Sequence, residues 1–134
     1  MNNILKILLA FSFFTYSNLF ALKQDNTLNN IKQELIMSNG YKAILNSPKS
    51  LTLGKNYMNI VILKNNVFIK NADVNIIFAL STMPNIEFST HAVENKDKYD
   101  LNASFKKRGE WEYELMFKTD YGAIYSKEGR LTVN

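Results

Sequence analysis

Two stretches in the second half of the chain alternate apolar and polar residues with a period of two. Tyr99, Leu101, Ala103 and Phe105 fall on one side of the first, with Asp100, Asn102, Ser104 and Lys106 on the other. In the second, Trp111, Tyr113, Leu115 and Phe117 oppose Glu110, Glu112, Glu114, Met116 and Lys118. Successive side chains of a β-strand point to opposite faces, so this pattern demands a sheet with one buried and one wet face. The remaining segments fit the same scheme. Tyr41 to Leu45 reads as a strand closed by Asn46-Ser47-Pro48, and Leu51 to Leu53 as a short one before the turn Gly54-Lys55-Asn56. Tyr57 to Lys64 is apolar on both faces, as a central strand requires. Asn65-Asn66 supplies a tight turn, because asparagine tolerates the left-handed backbone, and Val67 to Ile69 follows it. Asp73 to Leu80 reads as a buried strand, and Ala123 to Val133 as a last strand bulged at Gly129.

Seven or eight short strands about ten residues apart, separated by Gly, Pro and Asn, predict an all-β fold, an antiparallel immunoglobulin-like β-sandwich over residues 40–134. No helical crossover is long enough for parallel pairing. The preceding part, residues 22–39, is polar and Asn-rich. Ile31, Leu35 and Ile36 recur at helical spacing, so Leu28 to Met37 is expected as a short amphipathic helix stopped at Asn39-Gly40, or as a tether.

Residues 1–21 have the layout of a secretory signal peptide: a cation at Lys6, an apolar run from Ile7 to Phe14, a more polar tail, and the small residue Ala21. The run is shorter than the roughly 20 apolar residues that span a bilayer. Cleavage after Ala21 and a periplasmic or secreted protein are therefore expected, the alternative being an uncleaved inner-membrane anchor facing the periplasm. No cysteine follows the run to carry a lipid anchor, and the whole chain has none. Stability in an oxidising compartment must then come from packing. Lys6 is one of 16 cations, and without it 15 face 12 carboxylates. The one cluster, Lys106-Lys107-Arg108, reads as a solvated corner, and no nucleic-acid partner is expected.

Little here suggests catalysis. A single histidine, no cysteine and no Gly-rich phosphate loop remove most nucleophilic, thiol and nucleotide mechanisms. Glu110, Glu112 and Glu114 share one strand face, which suits a charged exterior better than an acid/base pair. The expectation is no enzyme and no small-molecule substrate. Softer donors are of more interest. After the strand to Leu80 come Met83-Pro84 and a polar stretch, expected as a loop, that carries His91. Thioether and imidazole at the two ends of such a loop form a pair suited to copper, thioether preferring Cu(I) and imidazole accepting either oxidation state. Met116 or Met58 would be a distant third donor, although Met58 sits where a core residue is needed, and Met37 is a further sulfur.

The succession Ala72 to Ala79, Met83-Pro84, Tyr99 ahead of an alternating strand, and Gly109-Glu110-Trp111 resembles the FixH-like and YtkA-like family of small exported or membrane-anchored β-sandwich domains. It is also similar to the secreted copper-resistance determinant proteins of that group. Gly54-Lys55-Asn56 ahead of a central strand looks like the family's Gly-x-Asn motif. The likeness covers about Tyr41 to Asn134. It implies periplasmic copper binding or tolerance, or delivery to a respiratory oxidase under assembly, with Met83 on the family's Met-Pro methionine and His91 in the metal loop. Pro84, Tyr99, Gly109 and Trp111 fall on motif positions, of which Tyr99, Gly109 and Trp111 read as structural. The family's second Met, two residues past the Pro, is absent: Asn85-Ile86-Glu87 stands there. A different class of function stays open beside this one: a metal-free interaction or assembly module that docks onto a membrane complex such as a respiratory oxidase or an efflux system.

Overall fold

A computed structural model describes residues 30–134. The expected signal segment, and the part of the expected helix or tether that precedes Asn30, lie outside the described residues. Nine strands form: β1 (Asn30–Ile36), β2 (Tyr41–Pro48), β3 (Gly54–Lys64), β4 (Val67–Phe68), β5 (Asp73–Leu80), β6 (Met83–Asn95), β7 (Lys98–Phe105), β8 (Gly109–Lys118) and β9 (Ile124–Val133). Hydrogen bonding runs in the order β1-β2-β3-β7-β6-β5-β8-β9, with β4 added to β3. The expected all-β antiparallel sandwich is therefore what the chain forms, with nine strands in place of seven or eight. One layer is β1-β2-β3-β7 with β4, the other β6-β5-β8-β9, and the last residues of β6 join the two.

Between the layers lie Met58, Ile60, Ile62, Leu101, Ala103 and Phe105 from one sheet and Val74, Ile76, Phe78, Trp111, Leu115 and Phe117 from the other, all buried. These are the inward positions that the period of two marks out. Two buried aromatics also bond to the main chain. The Tyr99 hydroxyl donates to the Ile69 carbonyl (2.7 Å) and accepts from the Ala72 amide (3.0 Å), fastening the β4–β5 connection. Trp111 Nε1 donates to the Lys107 carbonyl (3.1 Å) across the β7–β8 corner, where Gly109 has φ +129°, a backbone conformation that favours glycine. Asn56, also buried, closes the turn before β3 by donating to the carbonyls of Thr52 and Gly54.

The structure corrects several expectations. Asn30–Ile36 is a strand and not a helix or a free tether. Asn39 and Gly40 both have positive φ, and the Tyr41 amide bonds to the Ser38 carbonyl, so Asn-Gly makes a two-residue hairpin turn rather than a helix stop. Three apolar residues at helical spacing carry less weight than that turn. Leu51 to Leu53 shrinks to a single parallel bridge, Leu51 to Val133. No bulge occurs at Gly129, since β8 and β9 keep one register from Gly109↔Val133 to Lys118↔Ile124. Gly129 makes room instead. It lies opposite Tyr113, and a Cβ there would overlap the Tyr113 ring and hydroxyl. The phenol crosses the bare glycine and donates to Gln33 Oε1 of β1, while Gln33 Nε2 donates to the Arg130 carbonyl (2.9 Å). β1 and β9, the two end strands, thus meet through a side chain. Burial pushes the Tyr113 hydroxyl up to about 12, so it stays a neutral donor.

Gly129→Ala should therefore destabilise the domain by roughly 1–3 kcal/mol, the usual cost of overpacking. Urea melts monitored by tryptophan fluorescence check this; an unchanged midpoint would show that the Tyr113 ring can move aside freely.

Candidate functional site

Met83 and His91 do not bracket a loop. Both lie on β6, a strand of 13 residues. The alternation that makes it a strand is present in the sequence, with Ile86, Phe88, Thr90 and Ala92 inward and Glu87, Ser89, His91 and Val93 outward. It is muted because only Ala92 is fully buried and the rest of the inward row is half-buried. Along β5, Met83 sits opposite Leu80 and His91 opposite Asn75. Those partners are five positions apart along β5, about 17 Å at 3.3 Å per residue. A common ion with bonds of about 2 Å is out of reach for this pair. Met83 is 48 % exposed at the start of β6, next to Pro84, and the register with β5 slips between Ala79 and Leu80. Met58 is fully buried, as its place in a central strand demands.

Met116 comes closer to His91 than Met83 does. Asn75 of β5 faces His91 on one side and Met116 of β8 on the other, so the three form one cross-strand row on the outer face. Backbones two strands apart are about 10 Å from each other. The His91 Nδ1 lies 3.2 Å from Asn75 Oδ1 and 3.4 Å from Asp73 Oδ1. The row is solvent-exposed at His91 and half-buried at Met116. Among the described residues, no three His, Cys, Asp or Glu side chains converge.

The outer glutamates behave as expected of a charged exterior. Arg130 bridges Glu110 and Glu112, at 3.3 Å each. With Ile77 and Ala79 as a small apolar floor, this face forms an open groove bounded by Glu114 and Glu128.

Two features escaped the sequence reading. The first is the unpaired flank of β6. It pairs with β5 at Met83 and from Glu87 to Ala92, but with β7 only over Val93, Glu94 and Asn95. β7 in turn bonds to β3 from Tyr99 to Phe105, and among the described residues its other edge pairs with β6 only over Lys98, Tyr99 and Asp100. The two strands diverge, and side chains fill the gap. Phe88 stacks on Phe78 (5.0 Å between ring centres) and meets Phe105 and Trp111 edge-on. The Thr90 hydroxyl donates to the Asn102 carbonyl in place of a ladder bond.

The second is a polar cluster on the other sheet. The Tyr57 hydroxyl donates to one oxygen of Asp100, and Asn95 Nδ2 donates to the other (2.7 Å). Asn59, opposite Asp100, accepts from Asn46 Nδ2 (2.7 Å). Partial burial works to raise the Asp100 pKa, but the hydrogen bonds from Tyr57 and Asn95 and the charge of Lys98 outweigh it and hold the carboxyl below its ordinary value. Burial, then Asp100 itself, pushes the Tyr57 hydroxyl up. A carboxylate with both oxygens bonded is a fixed charge rather than a proton carrier. Only the strand register brings its partners together.

Comparison with protein-family models, curated proteins and solved structures gives no match for this chain.

The lowered Asp100 pKa means that the stability contributed by this cluster is present above the ordinary aspartate range, near pH 4. It is lost as pH falls through the lowered folded value. In an NMR acid titration Asp100 should be among the last carboxyls to protonate, and Tyr57→Phe should move its midpoint up. A midpoint indifferent to that change would show that the Tyr57 hydrogen bond does not hold the charge.

Proposed function

We propose that the chain is a non-catalytic interaction module that docks onto an envelope or inner-membrane complex through the bare flank of β6. The observation that carries this reading is the run Glu87 to Ala92, paired with β5 on one side and, among the described residues, with no strand backbone on the other. Unpaired main-chain groups at a sheet edge are a template for an added strand. Natural sheets blunt such edges when they are not used. Here Pro84 and the register slip blunt only the start of β6, leaving Glu87 to Ala92 regular. The half-buried Ile86 and Phe88 offer an incoming strand apolar contact beside the backbone. The export layout of residues 1–21 supports an envelope location, and the resemblance to FixH-like and YtkA-like domains supports a place beside a respiratory oxidase under assembly.

In affinity capture from detergent-extracted envelope membranes, partners should persist with a copper chelator present. Hydrogen–deuterium exchange on the complex should slow at least tenfold across Glu87 to Ala92. A complex that leaves exchange in β6 unchanged would refute docking at this flank.

Copper handling is the second reading, and the row His91, Asn75 and Met116 favours it, with Asp73 beside the imidazole. The donors differ from the expected set: Met83 drops out for distance, and His91 with Met116 supplies the nitrogen and the sulfur. Titration with Cu(I) against a competing chelator should show affinity falling more than tenfold in His91→Ala plus Met116→Ala. Equal affinity in the double variant would remove copper from this row.

A further inference from the structure

Lys106-Lys107-Arg108 looks like a solvated corner in the sequence, but the fold surrounds it with more than solvent. Gly54 pairs with Phe105, so Leu53 lies beside Lys106, and Lys55 pairs with Ser104 one step inward. On the other sheet Leu80 pairs with both Trp111 and Met83, and the Ser81 amide bonds to the Glu110 carbonyl (2.9 Å). That places Met83, at the start of β6, at the same end of the sheet as Gly109, which follows Arg108 and opens β8 on the far side of β5. One end of the sandwich therefore presents four exposed cations together with two exposed apolar side chains, Leu53 at 40 % and Met83 at 48 % exposure. Among the described residues none of the four has a carboxylate within 4.0 Å. Glu110, two residues past Arg108, is held by Arg130. At the opposite end cations and carboxylates are interspersed, as where Lys118 faces Asp73.

We infer that the end of the sandwich carrying Leu53, Met83, Lys106, Lys107 and Arg108 seats on an anionic phospholipid surface. Unpaired cations meet headgroup phosphates, while exposed thioether and isobutyl groups enter the boundary between headgroups and acyl chains. Each cation near such a surface strengthens partitioning roughly fivefold, so three together give on the order of a hundredfold. An acidic protein surface would use the cations but has no comparable place for the two apolar groups. The geometry also leaves the length of β6 free, since only its first residues touch this end.

The test uses the full chain and sedimentation with vesicles of pure phosphatidylcholine or of phosphatidylcholine containing a third phosphatidylglycerol. Binding that depends on the acidic lipid should weaken steeply with salt, and should fall on the order of a hundredfold in Lys106→Ala, Lys107→Ala, Arg108→Ala combined. Lys70→Ala, Lys118→Ala, Lys127→Ala combined removes equal charge elsewhere and should change it less than threefold. Leu53→Ser plus Met83→Ser should weaken binding at high salt as well as low. Circular dichroism confirms that each variant is folded. Equal loss in the two triple variants would reduce the effect to net charge and overturn the proposal. So would unchanged binding in the first triple variant, or preference for soluble polyglutamate over the acidic vesicles.

Discussion

Phe78, Phe88, Phe105 and Trp111 come from four different strands and meet in one aromatic cluster between the sheets. Phe78 and Phe105 stand edge-on with centres 5.2 Å apart, and Phe105 meets Trp111 at the same separation. The chain has no cysteine, so no covalent link can hold the two layers together. Large rings contribute more burial per residue than any other side chain, and tilted pairs add a little more. Phe88 matters most in position. It belongs to β6, the strand that leaves one sheet to join the other, and its ring reaches the core from a strand only half covered. The core is thereby closed at the flank by a side chain, and the backbone there stays open.

The opposite flank is closed differently. Tyr113 lies across Gly129 and ends on Gln33, so a glycine that costs strand stability lets an aromatic ring cover it and reach the next strand. The expectation of a bulge at Gly129 followed a sound rule, that glycine in a strand marks irregularity or close approach. The sequence does not distinguish the two, because what approaches is set by register: Tyr113 faces Gly129 only once β8 and β9 are paired.

The same limit separates the legible from the illegible elsewhere. β5, β7 and β8 could be read almost residue for residue, because a buried face of large apolar groups against polar neighbours leaves one solution. β6 carries the same alternation, but Thr90 and Ala92 are poor markers of a core face, and Asn85, Ser89 and His91 resemble a loop. Reading it as a loop brought Met83 and His91 together on paper, when an extended strand holds them apart. The pairing of His91 with Asn75 and Met116, and of Tyr57 with Asp100, joins residues from strands that only the fold makes neighbours. Candidate sites made within one segment were readable, and those made across segments were not.

That distinction bears on how the domain is used. A metal site at a loop tip needs two or three donors close in sequence, which an extended β6 cannot offer. An added strand needs a straight run of unpaired main chain, which a loop could not supply and an extended β6 does. An extended backbone is the conformation that an added strand requires, whereas a copper site here would have to draw its donors from neighbouring strands. Copper now depends on a half-buried sulfur and an exposed imidazole two strands apart, whose side chains would have to converge over Asn75. Strand addition needs no rearrangement of the outer row, because the partner would meet β6 along its edge.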